Sequence, residues 1–250
     1  MGKLYLVTGV SSGIGFATAQ LILANKQRVI GVSRNCSDKV KELQANYPDQ
    51  FIFEAKDLTL DLDKLPRWVL GLSKTHGRFS GFVHAAGVLQ VLPLRFVTHQ
   101  KMLDVFTLNV FSALEIAKGI SDKRACTTKG NSIVFISSIS ATTGSSGIVN
   151  YSSSKAALNG AMRSLAKEIS SDGFRVNSII CGTVQTEMID AHSGIYTEEY
   201  LSNMEEAYPL GLGQATDIAN GVEFLLSDKS KWLTGSELVI DGGISLGVHE

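Results

Sequence analysis

Tyr151 and Lys155 stand four residues apart in Tyr151-Ser152-Ser153-Ser154-Lys155, at the start of a segment of helical period whose apolar face is Leu158, Ala161, Met162, Leu165 and Ile169. On a helix that spacing puts both side chains on one face, about 6 Å apart. The pair is expected to lie off the apolar stripe, where it would serve a site. Its chemistry is acid–base: a phenol of pKa about 10 is a poor acid near neutrality, and general catalysis works best when the pKa lies nearer the working pH. A neighbouring ammonium stabilises the phenolate and lowers that pKa, at about 1.4 kcal/mol per unit. Ser138 ends the run Ile133-Val134-Phe135-Ile136-Ser137-Ser138. Its hydroxyl would hydrogen-bond a substrate oxygen and, with Tyr151, stabilise the charge developing there. The alternative for a Tyr-x-x-x-Lys pair alone is an exposed helix face.

A second constellation is Thr8-Gly9-Val10-Ser11-Ser12-Gly13-Ile14-Gly15, between the apolar run Leu4 to Val7 and a helix-like segment from Phe16 to Ala24. Gly9 would turn the chain off a strand, Gly13 would let backbone N–H groups reach a pyrophosphate, and Gly15 would let the helix pack close. The phosphates would then sit at a positive helix N-terminus. A bare structural turn is the alternative. No Gly-Lys-Ser/Thr follows, so this is not a nucleoside-triphosphate loop.

The elements that position these groups alternate along the whole chain. Apolar, β-branched runs at 4–8, 28–33, 51–55, 80–85, 132–137, 175–180 and 237–240 are separated by segments of helical period at 14–25, 37–46, 61–76, 99–121, 151–171 and 214–226. Near-continuous apolar strands are those buried on both faces. The pattern predicts an α/β fold: a doubly wound, Rossmann-type parallel sheet of about seven strands with helices on both faces, in three layers. No linker or repeat marks a second domain, so residues 1–250 are read as one domain.

Ligands of such sheets bind beyond the strands' C-terminal ends. After the second run comes Ser33-Arg34-Asn35. A neutral Ser33 with the planar cation of Arg34 suits a 2′-phosphate, which favours NADPH over NADH; a solvated loop charge is the alternative for Arg34. From Glu187 to Gly213 the periodicity is poor and Met188, Ile189, Tyr196, Tyr200, Met204 and Tyr208 occur, the composition of a substrate lid around 187–213.

The spacing TGxxxGIG, one residue longer than the common dinucleotide fingerprint, together with Ser138 thirteen residues before Tyr151, resembles the common single-domain branch of the short-chain dehydrogenase/reductase family over nearly the whole chain. The resemblance implies a catalytic tetrad of Asn109, Ser138, Tyr151 and Lys155, with Lys155 also binding the nicotinamide ribose. Asn109, in Leu108-Asn109-Val110, would bend its helix and offer a backbone carbonyl to a relay water. The cofactor would be held by Gly9, Ser11, Ser12, Gly13, Ile14 and Gly15, by Ser33, Arg34 and Asn35, and by Asp57 and Leu58 at the adenine. Ala85, Ala86 and Gly87 would lie against it, and Gly182, Thr183, Val184 and Thr186 would hold its nicotinamide carboxamide and phosphates. A turn Asp remains the alternative for Asp57, and a helix N-cap for Thr186.

Three positions depart from the pattern. His84 replaces an Asn and is read as a structural polar side chain. Ser12 stands where many NADP-binding relatives carry a base. Cys181 replaces a Pro, either lining the nicotinamide pocket or filling space as a small buried thiol. The resemblance further implies a homotetramer or homodimer through the helices of Asn109 and Tyr151 and the tail that ends Asp241-Gly242-Gly243.

Bulk properties narrow the class. With 44% hydrophobic and 19% charged residues and net charge −1, neither disorder nor a nucleic-acid footprint is indicated. No apolar run approaches the roughly 20 residues that span a bilayer, and Met1-Gly2-Lys3-Leu4 does not open a signal peptide. Cys36, Cys126 and Cys181 lack C-x-x-C spacing, and His76, His84, His99, His192 and His249 lack metal-binding spacing, so no disulfide framework and no catalytic metal are expected and the cytoplasm fits. The expected function is NADPH-dependent reduction of a ketone or aldehyde with Tyr151 as general acid. The alternatives are an NAD(H)-linked alcohol dehydrogenase and a non-catalytic NADP-binding sensor or scaffold.

Overall fold

The computed structural model describes residues 2–190 and 198–247. His192, Tyr196 and His249 lie outside the described residues. In chain order the elements are β1 (Leu4–Thr8), α1 (Gly13–Ala24), β2 (Arg28–Ser33), α2 (Asp38–Asn46), β3 (Phe51–Ala55), α3 (Leu65–His76), β4 (Phe79–His84), α4 (His99–Phe106) and α5 (Ser112–Ile120). There follow β5 (Asn131–Ser138), α6 (Ser140–Thr143), α7 (Val149–Ile169), β6 (Phe174–Cys181), β7 (Val184–Gln185), α8 (Glu187–Asp190), α9 (Glu198–Ala207), β8 (Gly213–Gln214), α10 (Ala215–Leu226) and β9 (Glu237–Ile240).

Seven strands form one parallel sheet in the order β3-β2-β1-β4-β5-β6-β9, the doubly wound arrangement the sequence predicts. β7 and β8 form a separate two-residue ladder. Alternate residues of each strand point to opposite faces. Leu4, Leu6, Ile133 and Phe135 pack with Val69 of α3, Ile116 of α5 and Met162 of α7. Tyr5, Val7, Val134 and Ile136 pack with Ile22 of α1, Leu43 of α2 and Val222 of α10. Burial of both faces is why β1, Leu-Tyr-Leu-Val-Thr, shows no polar alternation.

Three segments differ from the sequence reading. The helix expected over 61–76 begins with a 3-10 turn, Leu62–Lys64, because Asp61 sits in the left-handed region (φ 52) and Pro66 falls in the first turn of α3. The segment 99–121 is not uniformly α-helical: Thr107–Phe111 is a π-helical stretch joining α4 to α5. The poorly periodic 187–213 nonetheless contains α9, of ten residues, whose polar sequence carries too few apolar residues to show a period.

β1 lies at the point where the chain reverses, between β2 and β4. The turn that leaves it needs its glycines. Gly9 has φ +76, and a Cβ there would stand 2.8 Å from Ala86 N. At Gly15 a Cβ would stand 2.2 Å from Gly9 O and 2.9 Å from Thr8 O, so α1 packs against the strand end only because nothing projects there. Gly15→Ala is expected to destabilise by on the order of 3 kcal/mol, since backbone atoms cannot step aside. Urea unfolding measures the loss; a wild-type midpoint would show that the turn relaxes freely.

Candidate active site

A cleft of about 990 Å³ lies across the strands' C-terminal ends, bordered by Gly9 after β1, Ser33 of β2, Asp57 after β3, Ala85 after β4, Ser138 of β5 and Cys181 of β6. Every residue read from the sequence as cofactor-binding lines it, as do Ser138, Tyr151 and Lys155. Asn109 does not border the cleft and lies one layer behind.

At one end the glycine turn forms a cradle. Ser12 precedes α1 without a side-chain cap, and no acidic residue occupies the helix's first turn. The helix therefore presents N–H groups and the positive end of its dipole to the cleft. The pro-Cβ position of Gly13 is 3.1 Å from Thr186 Cγ2, so a side chain would fill the space beside the turn. Backbone donors at a positive helix end, among them the Gly13 N–H that Glu187 holds here, and the missing side chains beside them fit a dinucleotide's pyrophosphate.

The adenosine end is shaped by short polar loops. Ser33 is nearly buried and its hydroxyl donates to Asn35 O (2.9 Å), leaving the exposed Arg34 side chain at the rim. Asp57 Oδ1 accepts from the Thr59 hydroxyl (2.6 Å) and N–H (2.9 Å), and these bonds, with a smaller contribution from Arg34, hold its carboxyl below the usual range. Asp57 thus makes a turn and also faces the cleft. Ser37, which the sequence reading passed over, caps α2 by accepting from Val40 N and donates to Ser11 O (2.9 Å), tying the glycine turn to the second loop.

At the other end stands the acid–base set. Lys155 is 5% exposed and Tyr151 half-buried. Contrary to the expectation that they lie off the apolar stripe, Lys155 falls on the buried line that continues through Leu158, Met162, Ala166 and Ile169. The reason is a contact that helical phase does not show: in its second turn the buried face of α7 meets the C-terminal half of β5, and there it also borders the cleft. Lys155 Nζ donates to Ile136 O (2.8 Å) and lies 5.6 Å from the centroid of the Tyr151 ring. Burial pulls its pKa down from 10.5 to about 8, opposed in small part by nearby Cys181. Burial pushes the Cys181 thiol up to about 12; this residue both packs in the interior and borders the cleft. Ser140, absent from the sequence reading, donates from N (3.2 Å) and Oγ (2.9 Å) to Ser138 Oγ, which leaves the Ser138 proton free for another acceptor.

Asn109 is fully buried in the π-helical stretch. Its Oδ1 accepts from Val88 N (2.9 Å), and its Nδ2 donates to Val88 O (3.1 Å) and Ser154 Oγ (3.0 Å). Gly87 lies between it and the lysine: a Cβ there would be 3.3 Å from Asn109 Oδ1 and 3.6 Å from Lys155 Nζ. His84 supports the widened turn from below. Its Nε2 is 3.1 Å from Leu108 O and its Nδ1 3.1 Å from Thr8 Oγ1, which accepts from Ala86 N (3.1 Å). A carbonyl only accepts, so Nε2 carries the proton and Nδ1 accepts from Thr8. Burial, and then the Lys155 charge, lower the His84 pKa to about 3. His84 is therefore a neutral tie joining the ends of β1 and β4 to Asn109's turn.

On the remaining side, Glu187 Oε2 accepts from Gly13 N (3.0 Å) and its other oxygen pairs with Lys39. Burial opposes its ionisation, and the Lys39 ammonium and the Gly13 N–H outweigh it, holding the carboxyl below its usual range. Among the residues expected in the lid, Met188, Ile189 and Met204 border the cleft. Tyr208 instead is buried; its hydroxyl accepts from Thr183 N (2.8 Å) and donates to Thr183 Oγ1 (2.9 Å). It anchors the turn after β6 and does not line the cleft. Thr186 borders the cleft with its Oγ1 3.4 Å from Val184 O. Among the described residues, no group of three or more His, Cys, Asp or Glu could hold a metal ion.

Comparison with known proteins matches this architecture along nearly all of the chain. A family model described as enoyl-(acyl carrier protein) reductase matches residues 9–245. A 3-oxoacyl-(acyl-carrier-protein) reductase of Escherichia coli is 32% identical over 251 residues, covering 97% of each chain. A short chain dehydrogenase family protein from Francisella tularensis superposes with a TM-score of 0.86 at 32% identity, over 99% of this chain and 100% of that one. A Beutenbergia cavernae protein to which NAD(P)-dependent gluconate 5-dehydrogenase is assigned as an unproven activity, with NADP bound at low occupancy, superposes with a TM-score of 0.90 at 27% identity, over 98% of each chain.

The depressed Lys155 pKa makes a stability prediction. Between about 8, its folded value, and 10.5 the unfolded chain binds the extra proton, so this group makes stability rise with pH across that window. Lys155→Met should abolish that rise and stabilise the protein by on the order of 1 kcal/mol at pH 7, because a desolvated charge is removed. Urea unfolding at pH 7 and pH 9.5 reads both effects; a destabilised variant would mean that the Ile136 bond outweighs the burial cost.

Proposed function

The chain belongs to the short-chain dehydrogenase/reductase family of oxidoreductases, and on that premise we propose that it reduces a ketone or aldehyde carbonyl with NADPH, Tyr151 acting as general acid. The observation that carries the reading is the placement of Ser138, Tyr151 and Lys155 at one end of a single cleft whose other end is the glycine cradle rimmed by Arg34.

In this reading the cradle of Gly9, Gly13, Ile14 and Gly15 takes the pyrophosphate, and Arg34 takes the 2′-phosphate as a planar cation. Ala85, Ala86 and Gly87 border the cleft beside Lys155 as small residues over which the dinucleotide lies. When bound, NADPH supplies a hydride from nicotinamide C4. The chain supplies the rest. Ser138, whose oxygen already accepts from Ser140, donates its proton to the carbonyl oxygen and holds the developing charge. Tyr151 delivers the proton that turns the alkoxide into an alcohol, and the Lys155 cation stabilises the phenolate left behind. Asn109 acts from behind by holding Val88 and the geometry around Gly87.

The charged side chains among the described residues lining the cleft are Arg34, Lys56, Asp57, Lys155 and Glu187. Apart from Lys155 they border the cofactor end, while Val88, Leu89, Val91, Ile139 and Ile148 surround the catalytic end. That wall favours an uncharged carbonyl with an apolar substituent. Residues 187–213 are read as the substrate lid of one domain. Exposed Phe111 and Val149, near the helices of Asn109 and Tyr151, and Trp232, Val239 and Leu246 in the tail support a homotetramer, with a homodimer as the alternative. A cytoplasmic location goes with this reading.

Tyr151→Phe should retain cofactor binding yet lose on the order of 10²- to 10⁴-fold in turnover. NADPH oxidation followed by absorbance across a panel of 3-oxo esters, diketones, quinones, steroids and sugars tests this; near wild-type rates in the variant would remove Tyr151 from the mechanism. Arg34→Ala should weaken NADPH by about 10-fold or more and leave NADH nearly unchanged, the scale of a charge-assisted contact. Equal affinities before and after, measured by cofactor fluorescence, would refute the assignment of NADPH and favour NADH.

A further inference from the structure

The loop after β4 carries Val88, Leu89 and Val91 to the cleft, and three ties hold it at alternate residues. Val88 is gripped through both its N–H and its carbonyl by Asn109. Gln90 Oε1 accepts from Asn150 Nδ2 (2.6 Å), and Leu92 N donates to Gly147 O (2.6 Å). Gly147, at φ +78, brings its pro-Cβ position within 3.5 Å of Val91 Cγ1. The second tie differs from the others because it reaches Tyr151 directly. Asn150 is fully buried, and its Oδ1 accepts from Tyr151 N (2.9 Å). A backbone N–H only donates, so the oxygen of Asn150 must face Tyr151 and its NH₂ must face Gln90, which in turn must present its carbonyl. One buried amide thus fixes the backbone of the tyrosine and the middle of the substrate wall together.

We propose that Gln90 and Asn150 form a brace that couples Tyr151 to the apolar wall of Leu89 and Val91, and that this pair determines which carbonyl substituents the cleft accepts. The inference rests on the reductase reading above. The substrates favoured are carbonyl compounds whose substituent is apolar and lies along Leu89 and Val91. Gln90 and Asn150 are positioning residues, since neither borders the cleft. Loosening the brace therefore costs recognition of the substituent more than it costs chemistry.

A double-mutant cycle on the full chain tests this, with NADPH and two probes, ethyl acetoacetate and ethyl 3-oxooctanoate. Gln90→Ala should raise KM for the octanoate about 3- to 10-fold, the scale of one buried hydrogen bond. Its effect on kcat should stay within about two-fold, and its NADPH affinity should match wild type, since uniform binding and chemistry separate in KM and kcat. Adding Asn150→Ala should give a double variant no worse than Asn150→Ala alone, the signature of one shared interaction. In Asn150→Asp, Gln90 can turn its amide to donate, so the octanoate KM should stay near wild type while the new carboxylate raises the Tyr151 pKa and moves the pH profile of kcat upward. Additive losses, or an unchanged octanoate KM in Gln90→Ala, would overturn the brace. If wild-type protein reduces neither ester, the reductase reading loses its support, and amide hydrogen exchange over 88–92 then decides the brace separately. Faster exchange in Gln90→Ala, Asn150→Ala and the double variant to the same extent supports it; wild-type exchange in Gln90→Ala overturns it.

Discussion

A cation held out of water at the edge of the sheet sets the terms for everything around it. Lys155 has one direct protein partner within the strand below, the Ile136 carbonyl, and burial has already pulled its pKa to about 8. A desolvated charge of this kind persists only where its surroundings are polar enough and rigid enough to keep it. The carbonyl of a β5 residue gives rigidity, and the neutral imidazole of His84 adds no competing charge. The small residues Ala85, Ala86 and Gly87 keep bulk away from the ammonium. The same constraint explains why the thiol of Cys181 stays protonated beside it: burial outweighs the attraction of the cation.

The fold supplies that environment by a division of labour within each strand. Residues midway along a strand face helices on both sides and are apolar without exception at β1 and nearly so at β5. At the C-terminal end the strands carry polar side chains instead: Ser33 and Ser138 border the cleft, and Thr8 and His84 are buried beneath it. Thr8, Ser33, His84 and Ser138 are all last residues of their strands, and each makes a hydrogen bond that organises the cleft. The polar residues at these positions are the cost of ending a buried strand at a usable surface.

Much of this was legible in the amino-acid sequence, for identifiable reasons. The strands announce themselves because burial on both faces demands apolar runs. Gly9, Gly13 and Gly15 are legible because a tight turn and a close helix leave no room for a side chain. Ser138, Tyr151 and Lys155 are legible as a spacing on one strand end and one helix. What escaped the sequence is what depends on contacts between distant segments. Nothing local indicates that Ser37 reaches Ser11, that His84 holds Leu108, or that Asn150 meets Gln90 across sixty residues. Lys155 is not legible at its true place because a polar residue at an apolar phase reads as facing elsewhere, whereas it continues the buried line over the end of β5 and finds its partner in the strand's own backbone. Tyr208 was grouped with lid residues by composition alone, whereas its hydroxyl makes it a fastening for Thr183. The helix α9 was missed because Glu-Glu-Tyr-Leu-Ser-Asn-Met-Glu-Glu-Ala has few apolar residues to set a period.

The widened turn at Thr107–Phe111 has a geometric meaning for the rod it interrupts. One extra residue in a helix advances its angular phase by about 100°. Upstream, α4 buries only Val105; downstream, α5 buries Ala113, Ile116, Ala117 and Ile120 against the sheet. The inserted residue is the indexing step between these two orientations, and Asn109 turns inward within it. Winding 107–111 as regular α-helix with all its residues kept would turn the stripe of α5 off the sheet by that angle. Placement of the amide and seating of the helix are thus a single degree of freedom, and the chain cannot adjust one without the other.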